Sequence, residues 1–347
     1  MLAKNTCYIS LLMILLNRVI PLARSEGQKL KLLYLKDYLC QNTDEGHPAS
    51  LQSLLEHLEN LGIRCERKSL YSDLAALNLY GLDVRYKRGK PEGYYLAKRE
   101  FELPELKFLV DAVLSSRFLS PKHSDELIRK LAGQSSIHES ALLRREIVLA
   151  GRIKSESEEN LNAVDVIHEA IALDRRIRFR YFDWGIDLKK HFRSETYEAS
   201  PYALLWDDEN YYMVAHSPRH GLTHYRVDKM EEIFLTDMPR TVTEETAAFD
   251  PGEYSREMFG MFRGERINVK LRFETGLAGV VVDRFGKDVL MTPQGDDHFT
   301  FQTKIALSPN FFAWICRFAG RATIVYPKSA VEEFRKYCKN ILSAIPE

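Results

Sequence analysis

Leucines set the rhythm of the first hundred residues. Between Gln28 and Leu39, Leu30, Leu33 and Tyr34 recur alongside Leu32, Leu35 and Leu39 at helical spacing, which predicts a buried helix. Asn42-Thr43-Asp44-Glu45-Gly46 ends it with turn residues. Ser50 then stands at an N-cap position before Leu51, Leu54, Leu55, Leu58 and Leu61, which predicts a second helix. Gly62 stops that helix, and Ile63 is placed to plug the turn. A third helix is expected from about Glu66 to Tyr80, with Leu70, Leu74 and Leu77 inward and Gly81 as its terminator. Val84 to Lys87 and Gly93 to Leu96 read as two strands joined by Arg88-Gly89-Lys90-Pro91-Glu92.

Two helices across a short glycine turn, followed by a hairpin, form the pattern of a winged helix-turn-helix. Beyond it, periodicity predicts helices over Glu105–Phe118, His123–Leu131, Leu142–Lys154 and Ala163–Leu173. Alternation then predicts strands at Ile177–Phe182, Tyr197–Leu205, Tyr211–His216 and Thr223–Met230. Many short strands in sequence suggest a small closed barrel. Residues 236–262, with Pro239, Pro251 and glycines, read as a linker. Strands near Ile267–Phe273 and Phe299–Ile305, helices Leu277–Phe285 and Asn310–Phe318, strand Thr323–Val325 and helix Ala330–Leu342 follow. That is a β-α-β-β-α-β-like, ferredoxin-like order. Arg317 and Arg321 flank the second of those helices, either facing a ligand or capping helix carbonyls.

The chain has 347 residues, with 49 Lys+Arg and 49 Asp+Glu, so its formal net charge is zero. Such a balance excludes a protein that is basic throughout, but not one with a local basic module. Residues 62–99 carry nine basic and four acidic side chains, a net of +5, and residues 100–175 carry a net of −4. The basic segment coincides with the third helix and the hairpin. Arg64, Arg67, Lys68, Ser69, Tyr71 and Ser72 gather at the helix start, where a recognition helix meets base edges and phosphates. Lys87, Arg88 and Lys90 sit at the hairpin tip, and Ser50 at the second helix start, where each is expected to touch DNA. The plainer alternative is a protein-interaction module with a solvated charged face. Charge concentrated on just those two elements favours DNA.

Cys7, Cys40, Cys65, Cys316 and Cys338 form no C-x-x-C pair and are odd in number. They read as reduced thiols rather than a zinc or disulfide framework. The apolar run Cys7–Leu16 is too short to span a bilayer, and Pro21-Leu22-Ala23 before Arg24 is a poor cleavage site. Residues 1–24 are therefore read as an apolar extension, either an extra helix or the product of an upstream start codon. No phosphate loop, zinc-protease helix or nucleophile elbow occurs, so the expectation is that the chain is not an enzyme.

In the middle of the chain stand Ser200-Pro201-Tyr202-Ala203-Leu204-Leu205-Trp206, Asn210-Tyr211-Tyr212-Met213-Val214-Ala215-His216 and His224-Tyr225-Arg226-Val227-Asp228-Lys229-Met230. These ordered blocks resemble a WYL domain, with Tyr211-Tyr212-Met213 in place of the Trp-Tyr-Leu triplet. Ala313-Trp314-Ile315-Cys316-Arg317-Phe318-Ala319-Gly320 and Ile324-Val325-Tyr326-Pro327 resemble the C-terminal extension of the same family. The resemblance covers roughly residues 25–345. It implies a bacterial WYL-domain transcriptional regulator, with an Sm/SH3-like barrel that binds nucleic acid or nucleotide-like effectors.

Side-chain alternation puts Tyr212 and His216 on one face of their strand, and His224 and Arg226 on one face of the next. Aromatic, imidazole and guanidinium groups together suit a ligand with bases and phosphates. Tyr212, His216 and Arg226 are thus the effector candidates, with Arg193 and Ser200 as weaker partners. The competing reading pairs Arg226 with Asp228 and buries the tyrosines. His216, His220 and His224 recur every four residues, but Pro218 and Gly221 break any helix there, so no metal site is expected.

The expected organisation is an extension (1–24), a winged helix-turn-helix (25–100), a helical connector (101–160), a WYL domain (161–240), a linker (241–264) and a C-terminal domain (265–347). The expected function is a cytoplasmic, homodimeric, sequence-specific regulator of a double-stranded DNA operator, without cofactor or membrane partner. The alternatives are a ligand-sensing adaptor acting through protein contacts and a nucleic-acid-processing enzyme.

Overall fold

The computed structural model describes residues 24–143 and 154–346. The apolar extension, apart from Arg24, and most of the helix expected over Leu142–Lys154 lie outside the described residues. The chain divides into two compact units, one ending at residue 153 and the other formed by residues 117–120 with everything from 154 onward.

In the first unit, helices α1 (Arg24–Asn42), α2 (Leu51–Asn60) and α3 (Arg67–Tyr80) precede the antiparallel hairpin β1 (Asp83–Lys87) and β2 (Gly93–Lys98). The leucine pattern explains why they assemble. Leu35 and Leu39, Leu54 and Leu58, Leu70, Leu74 and Leu77 are buried together with Val84 and Leu96. Each such leucine contributes roughly 1.5–3 kcal/mol by leaving water. The Ser50 hydroxyl accepts from the Ser53 amide at 3.0 Å and caps α2. Ile63 does plug the turn: it is buried, and its amide donates to the Leu58 carbonyl at 2.9 Å. Gly81 ends α3 at φ 112°.

A contact between residues far apart in sequence completes this core. The Ala49 amide donates to the Tyr94 carbonyl at 2.8 Å, and the Tyr94 amide donates to the Ala49 carbonyl at 2.7 Å. The approach is so close that a Cβ on Gly93 would lie 2.2 Å from the Ala49 oxygen. Helices α4 (Leu103–Ser115), α5 (Pro121–Ala132) and α6 (Ile137–Leu143) follow around Leu106, Ala132 and Leu143.

The second unit opens with α7 (Asn160–Ala172) and the strands β3 (Arg175–Trp184), β4 (Lys190–Asp207), β5 (Asn210–Ser217), β6 (Gly221–Arg226) and β7 (Met230–Pro239). They form one antiparallel sheet in the order β6-β5-β4-β3-β7. Ala163, Ile167 and Ala170 of α7 cover the face that carries Ile177, Phe179, Met213 and Ala215.

This architecture corrects three expectations. The barrel does not close: among the described residues no ladder joins β6 to β7. The strand expected over Thr223–Met230 breaks at a 3-10 turn, Val227–Lys229, and β7 follows it. The linker is not bare, because α8 (Glu244–Ala247) and α9 (Pro251–Glu257) lie in it. Tyr254, Met258 and Met261 from that stretch bury against Ala203, Val214, Leu222 and Ala306.

Beyond them come β8 (Glu265–Glu274), α10 (Ala278–Phe285), β9 (Thr292–Gln294), β10 (His298–Leu307), α11 (Pro309–Cys316), β11 (Ala322–Tyr326) and α12 (Lys328–Ala344). The strands pair antiparallel in the order β11-β8-β10-β9. Phe273, Phe301, Phe311, Ile315 and Ile324 fill the core between that sheet and its helices. Arg321 is paired with Glu274 at 2.6 Å on the surface.

Candidate nucleic-acid interface and ligand cleft

In the first unit, burial of Leu70, Leu74 and Leu77 turns the opposite side of α3 to solvent. Arg67, Lys68, Tyr71 and Ser72 are all exposed at its start, and Arg64 is exposed just before it. Arg88 and Lys90 are exposed in the turn between β1 and β2. None of these five cations has an acidic partner among the described residues. Tyr86, half exposed on β1 and edge-on to Tyr94 at 5.0 Å, joins this surface. Strand alternation could have flagged it.

Three expected DNA contacts already have work elsewhere. Lys87 is half-buried at the base of the hairpin, and its ammonium donates to the Glu45 carbonyl at 2.7 Å. Ser69 accepts from Lys31 at 2.9 Å. Ser50 caps α2. Position explains each case: Lys87 pairs with Gly93 in the ladder rather than standing in the turn, and Ser69 faces α1.

In the second unit, strand register brings the expected effector residues together in pairs. Tyr212 lies opposite Arg226, and His216 lies opposite Ser200. Their face is nevertheless covered. Tyr212 is half-buried against the cluster that includes Val214, Tyr254 and Met258. Ser200 is buried and accepts from the Thr241 amide at 2.9 Å. Arg226 forks onto Asp228 at 3.0 and 2.8 Å and donates to Asn210 at 3.0 Å. These hydrogen bonds to the Asp228 carboxylate hold the guanidinium pKa above its usual value despite burial. His216 is half-buried, and its Nδ1 makes no hydrogen bond among the described residues. The connecting segment therefore packs against Tyr212 and bonds Ser200, while Arg226 and His216 stay partly exposed.

Arg193, the remaining candidate, opens onto a cleft of about 290 Å³. Tyr181, Tyr197 and Tyr225 contribute its aromatic lining, and His220 and Arg263 line it as well. The Arg226 amide of β6 donates to the Tyr181 hydroxyl of β3 at 3.3 Å. The three rings stand edge to face, with Tyr225 5.7 Å from both Tyr181 and Tyr197. The Arg193 guanidinium lies 5.0 Å from the Tyr181 ring and pairs with Asp183 at 2.9 Å. Arg263 donates to the His220 carbonyl at 2.6 Å. His224 also borders the cleft, and its Nε2 meets the Tyr254 hydroxyl at 2.6 Å. Burial, and then the nearby Arg263 charge, push its pKa down to about 4, so it is neutral at pH 7. Tyr181 and Tyr197 lay in recognised strands, yet Arg263 sits in the linker and carried no signal of its own.

Among the described residues no helix is long and apolar enough to cross a membrane. Comparison with known proteins finds two family matches and no match among curated proteins. Two of the solved structures that share distant similarity follow. One is the proteasome accessory factor B/C (PafBC) of Arthrobacter aurescens, at 18% identity and TM-score 0.27 over 91% of this chain. The other is a CRISPR Cas-related protein, at 13% identity and TM-score 0.34 over 62% of this chain. The chain spans 49% of the first of those structures and 60% of the second. Residues 162–235 match the WYL domain and residues 265–342 match the WCX domain, so α7 with its open sheet is a WYL domain and the C-terminal sheet with its helices is a WCX domain.

Proposed function

We propose that this chain is a cytoplasmic, homodimeric transcriptional regulator that binds a specific DNA operator and responds to an effector held by its WYL domain. In this reading residues 25–100 are a winged helix-turn-helix, with α3 as recognition helix and the β1–β2 hairpin as wing. The C-terminal domain has a ferredoxin-like arrangement. The observation that carries the reading is the set of exposed, unpaired cations Arg64, Arg67, Lys68, Arg88 and Lys90 on two adjacent elements. These cations would displace the counterions condensed on DNA phosphates, giving salt-dependent affinity.

The effector is nucleic-acid or nucleotide-like. It acts by binding one arrangement of the protein more tightly than another, and the chain does no chemistry on it. A gel-shift with DNA from the protein's own upstream promoter tests the reading. A specific, salt-sensitive band is expected, and its absence would overturn DNA regulation in favour of an adaptor acting through protein contacts.

A further inference from the structure

We infer that Cys316 and Cys338 of the WCX domain form a redox-sensitive dithiol, which a hydroperoxide converts to a disulfide joining α11 to α12. This goes beyond the proposed regulation of DNA and does not depend on it.

Packing register brings the two residues together. Helices α11 and α12 pack against one another and against β11, the strand between them in sequence. Phe312 of α11 meets Phe334 and Tyr337 of α12, with ring centroids 5.5 and 5.4 Å apart. On a helix, residues i and i+4 share a face. Cys316 is i+4 from Phe312, and Cys338 is i+4 from Phe334. Each thiol therefore stands one turn beyond the aromatic contact. Short connections reverse the chain into β11 and again out of it, so the two helices run the same way and those turns adjoin. The thiols interact there, through a side-chain hydrogen bond and through the charge each carries as a thiolate.

Exposure assigns the roles. Both thiols are free, Cys316 is exposed and Cys338 is half-buried. Attack on a dissolved oxidant falls to Cys316. Its thiolate attacks a peroxide oxygen: an S–O bond forms, the O–O bond breaks, and the leaving hydroxide takes up the thiol's proton as water. The Cys338 sulfur then attacks the sulfenic acid so formed. The S–S bond forms, the S–O bond breaks, and hydroxide leaves with the Cys338 proton as a second water. The thiols lose two electrons and two protons, and hydrogen peroxide is reduced to water. Burial, and then the neighbouring Cys338, push the Cys316 pKa up. The pair therefore rests protonated at pH 7 and reacts faster in alkali.

The bond falls where α12 leaves the core. Ala330, Val331, Phe334 and Tyr337 pack on the WCX core, while Ile341, Leu342 and Ile345 beyond them are exposed. A disulfide at Cys338 clamps the last packed turn of the helix. It also closes the loop through β11, which restricts the unfolded chain and stabilises the oxidised domain.

Treatment of the full chain with hydrogen peroxide tests this, read by mass spectrometry of the intact protein and of its unreduced proteolytic peptides. The expected product has lost two hydrogens, links the Cys316 and Cys338 peptides, and reverts with dithiothreitol. It should form faster at pH 9 than at pH 7. Its thermal midpoint should lie about 5 °C or more above that of the reduced protein. In Cys338→Ser, Cys316 should stop at the sulfenic acid, which dimedone traps. In Cys316→Ser, peroxide should no longer raise the midpoint.

Sulfenic or sulfinic acid on Cys316 of the wild-type chain, with Cys338 still free, would overturn the inference. So would a disulfide from Cys316 to any other cysteine or to a second chain, or survival of both thiols in excess peroxide.

Discussion

The Nε2 atom of His224, on strand β6, lies 2.6 Å from the hydroxyl of Tyr254, on helix α9, and both are largely buried. One residue belongs to the WYL sheet and the other to the connector, so the pair fastens the two. Its chemistry makes the fastening sensitive to acid. Burial lowers the His224 pKa to about 4, against roughly 6.5 in an unfolded chain. Between those values the unfolded state binds the extra proton, so stability rises with pH. The contribution is fully present above about 6.5 and is lost as pH falls toward 4, on the order of 3 kcal/mol in all. Thermal melts from pH 7 to 4 should show a falling midpoint, and His224→Phe should flatten that slope. An unchanged slope in the variant would show that His224 does not titrate in this window. Carboxylates held low, such as Asp44, act further into acid: burial pushes Asp44 up, but hydrogen bonds from Ser136 and His47 outweigh it.

Gly93 should tolerate no side chain. Its φ is +150°, and a Cβ would sit 2.2 Å from the Ala49 carbonyl oxygen. Gly93→Ala must break either the paired backbone hydrogen bonds to Ala49 or the hairpin. A loss of about 2–4 kcal/mol in urea unfolding of the first unit is expected, along with weaker operator binding.

Lys31 and Asp73 form an ion pair at 2.7 Å, with side chains 8% and 14% exposed. The pair joins α1 to α3. Asp73→Ala leaves a buried ammonium with only the Ser69 hydroxyl and the Cys65 sulfur nearby. It should cost about 3–5 kcal/mol. Replacing both residues with apolar ones should recover most of the loss, which a double-mutant cycle measures.

On DNA, Arg67→Ala and Lys68→Ala should each weaken operator binding by about 1–3 kcal/mol if they reach bases. Arg88→Glu in the hairpin turn should lower affinity across sequences and reduce the salt slope. Lys87→Ala should do far less, because its ammonium is engaged by Glu45. Fluorescence anisotropy across a salt series separates these outcomes. A fully functional Arg88→Glu protein would favour the adaptor reading.

Local patterns carried most of the first unit. Leucine spacing, the Ser50 cap, the Ile63 plug and the Gly81 terminator each act within a few residues of their own position, so a reader of the chain can see them. The WYL blocks were legible for a different reason, being recognisable side-chain strings. Alternation also placed Tyr212 with His216 on one strand face, and the ladder register of the fold then set Tyr212 opposite Arg226 and His216 opposite Ser200. It could not say what covers that face. That depended on Tyr254, Met258 and Met261, which lie in a stretch with turn-like composition whose apolar residues bury only against strands far away in sequence.

By itself, then, the sequence determined the elements, their order, the local positive charge on α3 and the hairpin, and the WYL resemblance. These follow from short-range periodicity, capping and composition. Tertiary structure alone decided that the WYL sheet stays open, that the connector packs against Tyr212 and bonds Ser200, and that Arg193 and Arg263 line one cleft with three tyrosines. Each of those outcomes depends on which distant surfaces bury against one another, and burial is a property of the packed chain rather than of any segment.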